Sequence, residues 1–349
     1  MSHIIILRFS AMGDVLMALP VIDAVARHNA DVRFTLVSRA WAKPLARLLP
    51  GNVSFITADL SGKHKGLRGL NRLCRRLMAL HPTAVADLHD VLRTQWLRLR
   101  FALVGVPVAA IRKGRRDRRR FVATHGAVCQ RPVFERYADV FRRLGLAFDM
   151  DFRSLMPPGG ADLSAAIPAF AAAQHPERHW VGVAPFAAHA GKVYPPELME
   201  QVVERLAARG DTRVFLFGAG ERERQVLEAW EQRYAHVESV AGRLGGIAQE
   251  LALVSHLRVM VSMDSANMHL ASLAAVPVVS VWGATHPHGG FLGYGQSTAH
   301  AVQLDLDCRP CSTYGQKPCL HGDYRCLRGI HPADIADRVE AIITHAATP

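Results

Sequence analysis

The sequence predicts an α/β protein built from two doubly wound parallel sheets in series. In both halves, short apolar strands alternate with amphipathic helices, which is the pattern of parallel sheets covered by helices. A Pro- and Gly-rich stretch, "MPPGG" at 156–160, interrupts the alternation and predicts a linker. The chain has 349 residues and 50% hydrophobic residues, which is enough for two domains.

The elements of the first half follow from apolar runs and helical spacing. Strands are expected at 4–9, 32–38, 53–57 and 84–88, and helices at 15–28, 40–50 and 69–81. In the last helix, Leu70, Leu73, Leu77 and Leu80 fall on one face. The apolar run before Arg8 is too short to predict a signal peptide. The sequence contains no uncharged run of about 18 apolar residues, so no transmembrane helix is predicted and a cytoplasmic protein is expected.

The second half repeats the scheme after a short Ala-rich helix within 161–178. Strands are expected at 180–186, 213–218, 258–263 and 277–283, and helices at 196–210, 222–234, 247–257 and 265–275. Gly210 is expected to follow the first of these helices as its C′ glycine. We place the domains at 1–157 and 158–330, followed by a C-terminal helix in 331–349 that packs back onto the first domain.

Charge is distributed unevenly between the two halves. Residues 1–155 hold 27 Lys+Arg against 11 Asp+Glu, a net +16, and the remainder holds 15 against 19, a net −4. The densest basic run is "RKGRRDRRR", from Arg112 to Arg120. An excess of this kind indicates an anionic partner, such as nucleic acid, acidic lipid or a phosphorylated glycan. For the single run, a solvated surface loop is an equal alternative.

Three loops of the second half leave the carboxyl ends of predicted strands, where ligands of such sheets bind. The first carries Lys192, a compact cation suited to phosphate, and the second carries Glu221, which can accept hydrogen bonds from a ribose. The third, "DSANMHLASLAAVPVVSVWGATHP", starts a helix with Asp264 and Ser265 and places His269 about one turn later. Free amides at a helix start bind phosphate, so the three loops together predict a diphosphate site. Taken singly, Lys192 and Glu221 are more typical of solvated residues.

The stretch "ILRFSAMGDVLMALP" at 5–19 places one acid, Asp14, between a predicted strand and a predicted helix. An acid in that position is commonly an N-cap. The stretch by itself leaves open whether Asp14 only caps the helix or also takes a proton.

Both segments resemble those of a known family. "DSANMHLASLAAVPVVSVWGATHP" resembles the D-[ST]-G-x-x-H signature region of glycosyltransferase family 9, the ADP-heptose:lipopolysaccharide heptosyltransferases. "ILRFSAMGDVLMALPVIDAV" resembles the family's G-D opening, and "CRPCSTYGQKPCLHGDYRCLRGI" resembles a tail that several members carry. The resemblance covers essentially the whole chain in order.

The resemblance implies a GT-B fold, in which two Rossmann-like doubly wound domains face an interdomain cleft. The first domain would bind the acceptor and the second the nucleotide-sugar donor. Asp14 would be the catalytic general base of an inverting transfer, and domain closure would bring it to the donor. Donor contacts would come from Lys192, Glu221 (with Glu223 as an alternative), Asp264, Ser265, Ala266 and His269.

Two departures from the family pattern concern the donor. The family glycine is Ala266 here, and its methyl is compatible only with a negative φ. Ala187 and Ala188 replace two hydroxyl residues that some members carry before the lysine. Donor identity is affected more than reaction class, because Asp14 and Lys192 are retained.

The basic first half fits an anionic lipopolysaccharide acceptor and an anionic inner-membrane surface. Acceptor contacts are expected from Ser10, Gly13, Lys63, Lys65, Arg112 and Arg115. Catalysis is expected to need no metal, because Lys192, His269 and the helix amides can stabilise a leaving diphosphate.

Four cysteines, Cys308, Cys311, Cys319 and Cys326, form a C-x2-C-x7-C-x6-C pattern near the C-terminus. A structural zinc site, free thiols and a disulfide all remain open, since C-x2-C is a good zinc half-site but the second pair is widely spaced. Cys74 and Cys129 stand alone and are expected to be reduced.

Two other functions compete with the transferase. One is a basic nucleic-acid-binding protein, which the 7% aromatic content and a basic run without interleaved aromatic residues disfavour. The other is a family member that binds a nucleotide sugar without turnover. We expect a nucleotide-sugar donor as partner and no nucleic acid.

Overall fold

The computed structural model describes residues 2–167 and 179–345. These residues divide into two compact units. The first contains the residues up to Lys113 together with Val133–Leu155, and the second contains Gly114–Pro132 together with the described residues from Met156 onward.

The first unit is built on a five-stranded parallel sheet with the strand order β3-β2-β1-β4-β5. Its strands are β1 His3–Leu7, β2 Arg33–Ser38, β3 Val53–Thr57, β4 Ala84–Asp87 and β5 Val108–Ala110. Every residue of β1 is buried, as expected for a central strand covered on both faces. β1 pairs on one side with β2 and on the other with β4, so the carboxyl ends of β1 and β4 are neighbours.

The helices up to Arg142 are α1 Met12–His28, α2 Lys43–Ala46, α3 Gly66–Met78, α4 Leu92–Ala102, α5 Arg115–Ala123 and α6 Val133–Arg142. A 3₁₀ turn, Ala40–Ala42, precedes α2. α3 buries the predicted leucine face through Leu70, Leu73 and Leu77. α1 begins three residues before the predicted start, so Asp14 is its third residue and not its N-cap.

The second unit is built on a six-stranded parallel sheet with the strand order β11-β10-β9-β6-β7-β8. Its strands are β6 His179–Ala184, β7 Thr212–Leu216, β8 Val237–Ser239, β9 Val259–Met263, β10 Val278–Val281 and β11 Ala301–Val302. β9 pairs with both β6 and β10, which brings the loops after these three strands to one edge.

The remaining helices are α7 Leu163–Ala166, α8 Pro196–Ala207, α9 Glu221–Arg233, α10 Ile247–Val254, α11 Ala266–Leu273, α12 Arg325–Arg328 and α13 Pro332–His345. The Ala-rich helix expected before β6 falls largely on 168–178, which lies outside the described residues. The prediction of Gly210 as a C′ glycine is wrong. The C-cap of α8 is Ala208, and Gly210 lies two residues beyond it.

Two segments are placed differently from the sequence expectation. The basic α5 belongs to the second unit, where Phe121 is buried beside His286 at a ring separation of 6.2 Å. The C-terminal α13 also belongs to the second unit. It buries Ile335, Val339 and Ile343 in that unit's core, and this helical spacing gives it one apolar face to cover.

No helix in the described residues is long and apolar enough to cross a membrane.

Candidate active site

The first part of the candidate site lies where β1 and α1 meet. Asp14 projects from the first turn of α1, and its side chain is 29% exposed. Its Oδ2 accepts the backbone N–H of Ala11 at 3.3 Å, an arrangement that a negative charge near a helix N-terminus favours. The carboxylate is therefore held at the carboxyl edge of the first sheet and remains open to solvent.

Arg8 is the main partner of that carboxylate. Its Nη2 lies 2.5 Å from Asp14 Oδ2, and its Nη1 donates to the carbonyl of Leu88, just after β4, at 2.5 Å. The guanidinium also lies over the ring of Tyr137 from α6, 5.6 Å from the centroid. The buried arginine thus ties the acid to three separate elements, which fixes its direction.

Tyr137 of α6 also contacts Asp14. It is fully buried, and its hydroxyl donates to the carbonyl of Asp14 at 3.4 Å and lies 3.5 Å from Oδ1. Oδ2 therefore contacts both Arg8 and Ala11, whereas Oδ1 has only this long contact among the residues that the structure describes. Oδ1 is therefore the less engaged oxygen of the carboxylate.

His89 supports the loop that leads to Asp14. Its Nδ1 accepts the backbone N–H of Phe9 at 3.5 Å, and its Nε2 lies 3.4 Å from Ser10 Oγ. Burial, aided by the charge of Arg8, lowers the pKa of His89 to about 3. The imidazole is therefore neutral at physiological pH and holds the segment Phe9–Ser10 in place through these two contacts. His89, Arg8 and Tyr137 were not predicted from the sequence, although His89 follows β4, the strand that pairs with β1.

The predicted acceptor residues occupy several elements. Ser10 is exposed beside His89, and Gly13 lies in the first turn of α1. Lys63 and Lys65 are exposed around the start of α3, where Asp59 orders the turn by accepting the backbone N–H of Lys63 at 2.9 Å.

The two predicted arginines do not lie in the same unit. Arg112 is exposed in the first unit, and its carbonyl accepts Arg136 Nη1 at 3.3 Å. Arg115 is exposed at the start of α5 and belongs to the second unit. Of the predicted acceptor residues, Ser10 and Gly13 lie in the same short segment of the chain as Asp14.

The second part of the candidate site is a buried ion pair at the carboxyl edge of the second sheet. Lys192 Nζ lies 2.7 Å from Asp264 Oδ2, and the two side chains are only 15% and 5% exposed. Lys192 comes from the loop after β6 and Asp264 from the loop after β9. The pairing of these strands explains why two residues distant in sequence meet.

The helix α11 begins two residues after Asp264. Ser265 is its N-cap but makes no capping hydrogen bond, and its Oγ lies 3.2 Å from Ser262 Oγ. The amides of the first turn thus lack a side-chain cap. Ala266 is the first helical residue, so its φ is negative and the methyl is tolerated in place of glycine. His269 lies within the first full turn and is buried.

The cysteine-bearing tail packs directly on Lys192. A Cβ on Gly315 would lie 2.7 Å from Lys192 Cγ, and a Cβ on Gly191 would lie 2.9 Å from the Gly315 carbonyl. Only glycine allows this approach, and Gly315 also has a positive φ of 75°. The tail therefore forms one wall around the lysine stem, a role that the motif alone did not indicate.

Arg309 fastens that tail to the sheet edge. It is buried, and its guanidinium donates to the carbonyls of Gly283 at 2.5 Å and Thr285 at 2.9 Å, and to that of Leu304. The backbone N–H of Cys311 donates to the carbonyl of Ala284 at 3.1 Å. These hydrogen bonds thus hold the tail against the loop after β10.

The loop after β7 separates its two acids. Glu221 is exposed, and its carboxylate oxygens accept hydrogen bonds from Arg224 Nη2 at 2.5 Å and from Gln225 Nε2 at 3.0 Å. Glu223 Oε2 accepts the backbone N–H of Ala219 at 2.7 Å and orders the small-residue turn before α9. Of the two, Glu221 is the better candidate for a ribose contact.

All six cysteines are free thiols, so the structure does not contain the disulfide that the sequence left open. Burial raises the pKa of Cys326 to about 11. Within residues 2–167 and 179–345, no group of three or more His, Cys, Asp or Glu side chains is arranged to hold a metal ion. The tail thiols as placed do not form a tetrahedral site.

Two parallel α/β units with polar residues at the carboxyl edges of their sheets are the architecture of the GT-B fold. The profile of glycosyltransferase family 9 (heptosyltransferase) matches residues 70–320. The chain belongs to this family.

Individual relatives extend the likeness over the whole chain. Lipopolysaccharide heptosyltransferase 1 of Pseudomonas aeruginosa is 25% identical over 98% of both chains. The structure of E. coli ADP-heptose lps heptosyltransferase II covers all of both chains with a TM-score of 0.72 at 16% identity. That of E. coli heptosyltransferase WaaC with ADP covers 97% of this chain and 99% of its own, with a TM-score of 0.66 at 17% identity. The two structural likenesses show the fold.

Proposed function

We propose that this protein transfers a heptose from ADP-heptose to an inner-core acceptor of lipopolysaccharide. Membership of a heptosyltransferase family supports the transfer itself. The sugar, the nucleotide and the acceptor are supported by the name of the Pseudomonas aeruginosa relative and by the ADP bound to the E. coli neighbour.

The observation that carries the proposal is the buried pair of Lys192 and Asp264 at the start of α11. An ammonium group has three N–H donors. Asp264 Oδ2 lies 2.7 Å from this ammonium as its counter-ion, and N–H groups of the ammonium can also meet phosphate oxygens. The uncapped amides of α11 add donors and a positive dipole end. This combination suits a diphosphate, whose negative charge grows as the sugar departs.

Asp14 is the proposed general base. The base of an inverting displacement must be ionised, must reach the acceptor hydroxyl and must have a free oxygen lone pair. Arg8 pairs directly with Asp14 Oδ2 at 2.5 Å, and within the described residues Oδ1 has only the 3.5 Å contact with the Tyr137 hydroxyl. Asp14 belongs to the first unit and Lys192 to the second.

No metal is assigned to the reaction, because Lys192 and the α11 amides supply the positive charge that the leaving diphosphate requires. The chain contains two Asp-x-Asp sequences, at 149–151 and 305–307. In the first of them, Asp151 forms an ion pair with Arg27 at 2.7 Å. A zinc ion in the cysteine tail would be structural. It requires the four thiols to move together from their present positions, and metal analysis of the purified protein tests it.

The acceptor is proposed to be anionic, with Ser10 and Gly13 nearest the base and Lys63, Lys65 and Arg112 providing charge. Their exposure leaves them available to phosphate or carboxylate groups of an inner-core glycan. We propose that the protein acts at the cytoplasmic face of the inner membrane, where such an acceptor would be presented.

The proposal is tested in two steps. A thermal-shift series with ADP, UDP, GDP and CDP should give the largest stabilisation with ADP, by ligand linkage. Turnover is then measured with ADP-heptose and lipopolysaccharide from a heptose-deficient strain. A selective ADP shift without turnover would favour the alternative of a binding protein, consistent with Ala187 and Ala188 in the donor loop. The absence of a shift with any nucleotide would contradict the proposal.

A further inference from the structure

The outer face of α4 carries an apolar stripe that nothing in the described structure covers. Leu92, Leu99 and Leu103 are 84%, 51% and 71% exposed, and Trp96 is half-buried between them. At about 100° per residue, positions 92, 96, 99 and 103 fall within roughly 60° of arc on one side of the helix. Isolated exposed leucines are ordinary, but four large apolar residues in one line indicate a contact surface.

The opposite face of α4 is firmly anchored. Thr94, Leu97 and Phe101 are buried against the first unit. Arg98 pairs with buried Asp87 at 3.2 Å and with Asp90 at 2.9 Å. The stripe therefore cannot turn inward without breaking this packing, and it stays presented to solvent.

The stripe is bordered by positive charge. α3 and α4 together contain seven arginines and no acidic residue. Exposed arginines lie on both helices: Arg68, Arg72, Arg75, Arg76, Arg93 and Arg100. Trp96 Nε1 donates to Asn71 Oδ1 of α3 at 3.0 Å, so the two helices form one surface.

We propose that α3 and α4 form an interfacial membrane-docking surface for an anionic bilayer. Leucine and tryptophan on one face with arginine around them is the composition of helices that lie in the headgroup region. Anionic lipids complement the arginines, and the leucines enter the acyl boundary. A second copy of this chain fits less well, because two such faces would bring their arginines together. The inference deepens the membrane location given under the proposed function by naming the surface that would bind the bilayer, and its evidence does not rest on the transfer reaction.

The test is co-sedimentation of the full chain with vesicles of phosphatidylglycerol and phosphatidylethanolamine, with phosphatidylcholine vesicles as the neutral comparison. The wild-type protein should bind the anionic vesicles and not the neutral ones, and binding should weaken with salt. The triple variant Leu92→Gln/Leu99→Gln/Leu103→Gln should lower the partition coefficient by about tenfold or more. Arg75→Gln/Arg76→Gln should lower it by about fivefold per arginine.

Matched controls lie in the second unit. Leu320→Gln removes a leucine that is 82% exposed, and Arg222→Gln removes an exposed arginine, so neither should change vesicle binding. Unchanged circular dichroism melts would show that the leucine variant is folded.

Unaltered vesicle binding by the leucine variant, or no binding by the wild type, would overturn the proposal. So would a wild-type dimer in sedimentation velocity that the leucine variant loses, since that outcome assigns the surface to a second copy. Turnover on a detergent-solubilised acceptor separates this result from the proposed function. The leucine variant should keep its full rate there even if docking is lost.

Discussion

Lys192 and Asp264 form a buried ion pair in which Nζ and Oδ2 are 2.7 Å apart, at the carboxyl edge of the second sheet. Because each residue neutralises the other, removing one leaves a buried charge behind. Lys192→Met should lower the free energy of unfolding by about 3–5 kcal/mol and weaken ADP binding by about tenfold to a hundredfold. Urea denaturation and calorimetric titration measure the two effects.

The double variant Lys192→Met/Asp264→Asn separates stability from ligand binding. Neutralising both members should recover most of the lost stability, whereas ADP binding should stay weak. Recovery of ADP affinity in the double variant would contradict a direct role of the ammonium at the diphosphate.

Gly315 sets the position of the lysine stem. Gly315→Ala would place a Cβ 2.7 Å from Lys192 Cγ at a positive φ, so the stem must shift. We expect KM for the donor to rise by about tenfold or more, the scale of a 1 Å misplacement. Gly322→Ala is the matched control, because Gly322 lies in the same tail at φ 74° with no atom within 4 Å of the added methyl. Equal effects of the two variants would indicate backbone strain and not the contact with Lys192.

Arg8 is expected to act through Asp14 as a positioning residue. Arg8→Met removes the 2.5 Å contact with Oδ2 and frees the carboxylate to rotate. kcat should fall by about a hundredfold, while the Kd for ADP, measured by titration calorimetry, should not change. Arg8→Lys should recover part of the rate because it keeps the charge but not the bond to the Leu88 carbonyl. A parallel loss of ADP affinity in Arg8→Met would point to a general structural effect.

His89 predicts a pH dependence of stability. Burial and Arg8 lower its pKa in the folded chain to about 3, from an ordinary value of 6.5. Between these values the unfolded chain binds a proton that the folded chain does not. The free energy of unfolding should therefore fall as pH falls through this window, by up to about 1.4 kcal/mol per pH unit.

The variant His89→Gln isolates that contribution, because glutamine cannot take up the proton. Its free energy of unfolding should decline less steeply from about pH 6.5 to about pH 4.5 than that of the wild type. Burial also lowers the pKa of His286, in the second unit, to about 4. Because His286 is present in both proteins, its contribution to the pH dependence cancels in the comparison. Identical slopes would show that His89 is not buried as a neutral group.

The parallel sheets could be predicted from sequence because their strands are short apolar runs separated by turn residues and helical spacing. The neighbouring positions of Lys192 and Asp264 also followed, since parallel strands bring their carboxyl ends to one edge. The placement of α5 could not be predicted. Its arginines dominate the sequence pattern, whereas its contacts with the rest of the second unit come from the buried Phe121 and from Arg118, which donates to the Tyr314 hydroxyl.

The contacts of Asp14 likewise could not be predicted from the sequence. Tyr137 is 123 residues away, and Arg8 meets Asp14 only because the chain turns sharply between β1 and α1. The role of the tail depended on a close backbone approach at Gly315, for which the cysteine spacing gives no signal. Contacts between distant residues of this kind leave no local pattern.

The most direct test of the account is the rate of heptosyl transfer by Asp14→Asn, with ADP-heptose and a heptose-deficient lipopolysaccharide acceptor. Asparagine keeps the shape of the side chain but cannot accept the proton, so kcat should fall by about a hundredfold to ten-thousandfold while ADP binding is retained. Asp31→Asn, at an exposed acid of the same unit, should keep the wild-type rate. A full transfer rate in Asp14→Asn would contradict the assignment of Asp14 as the general base.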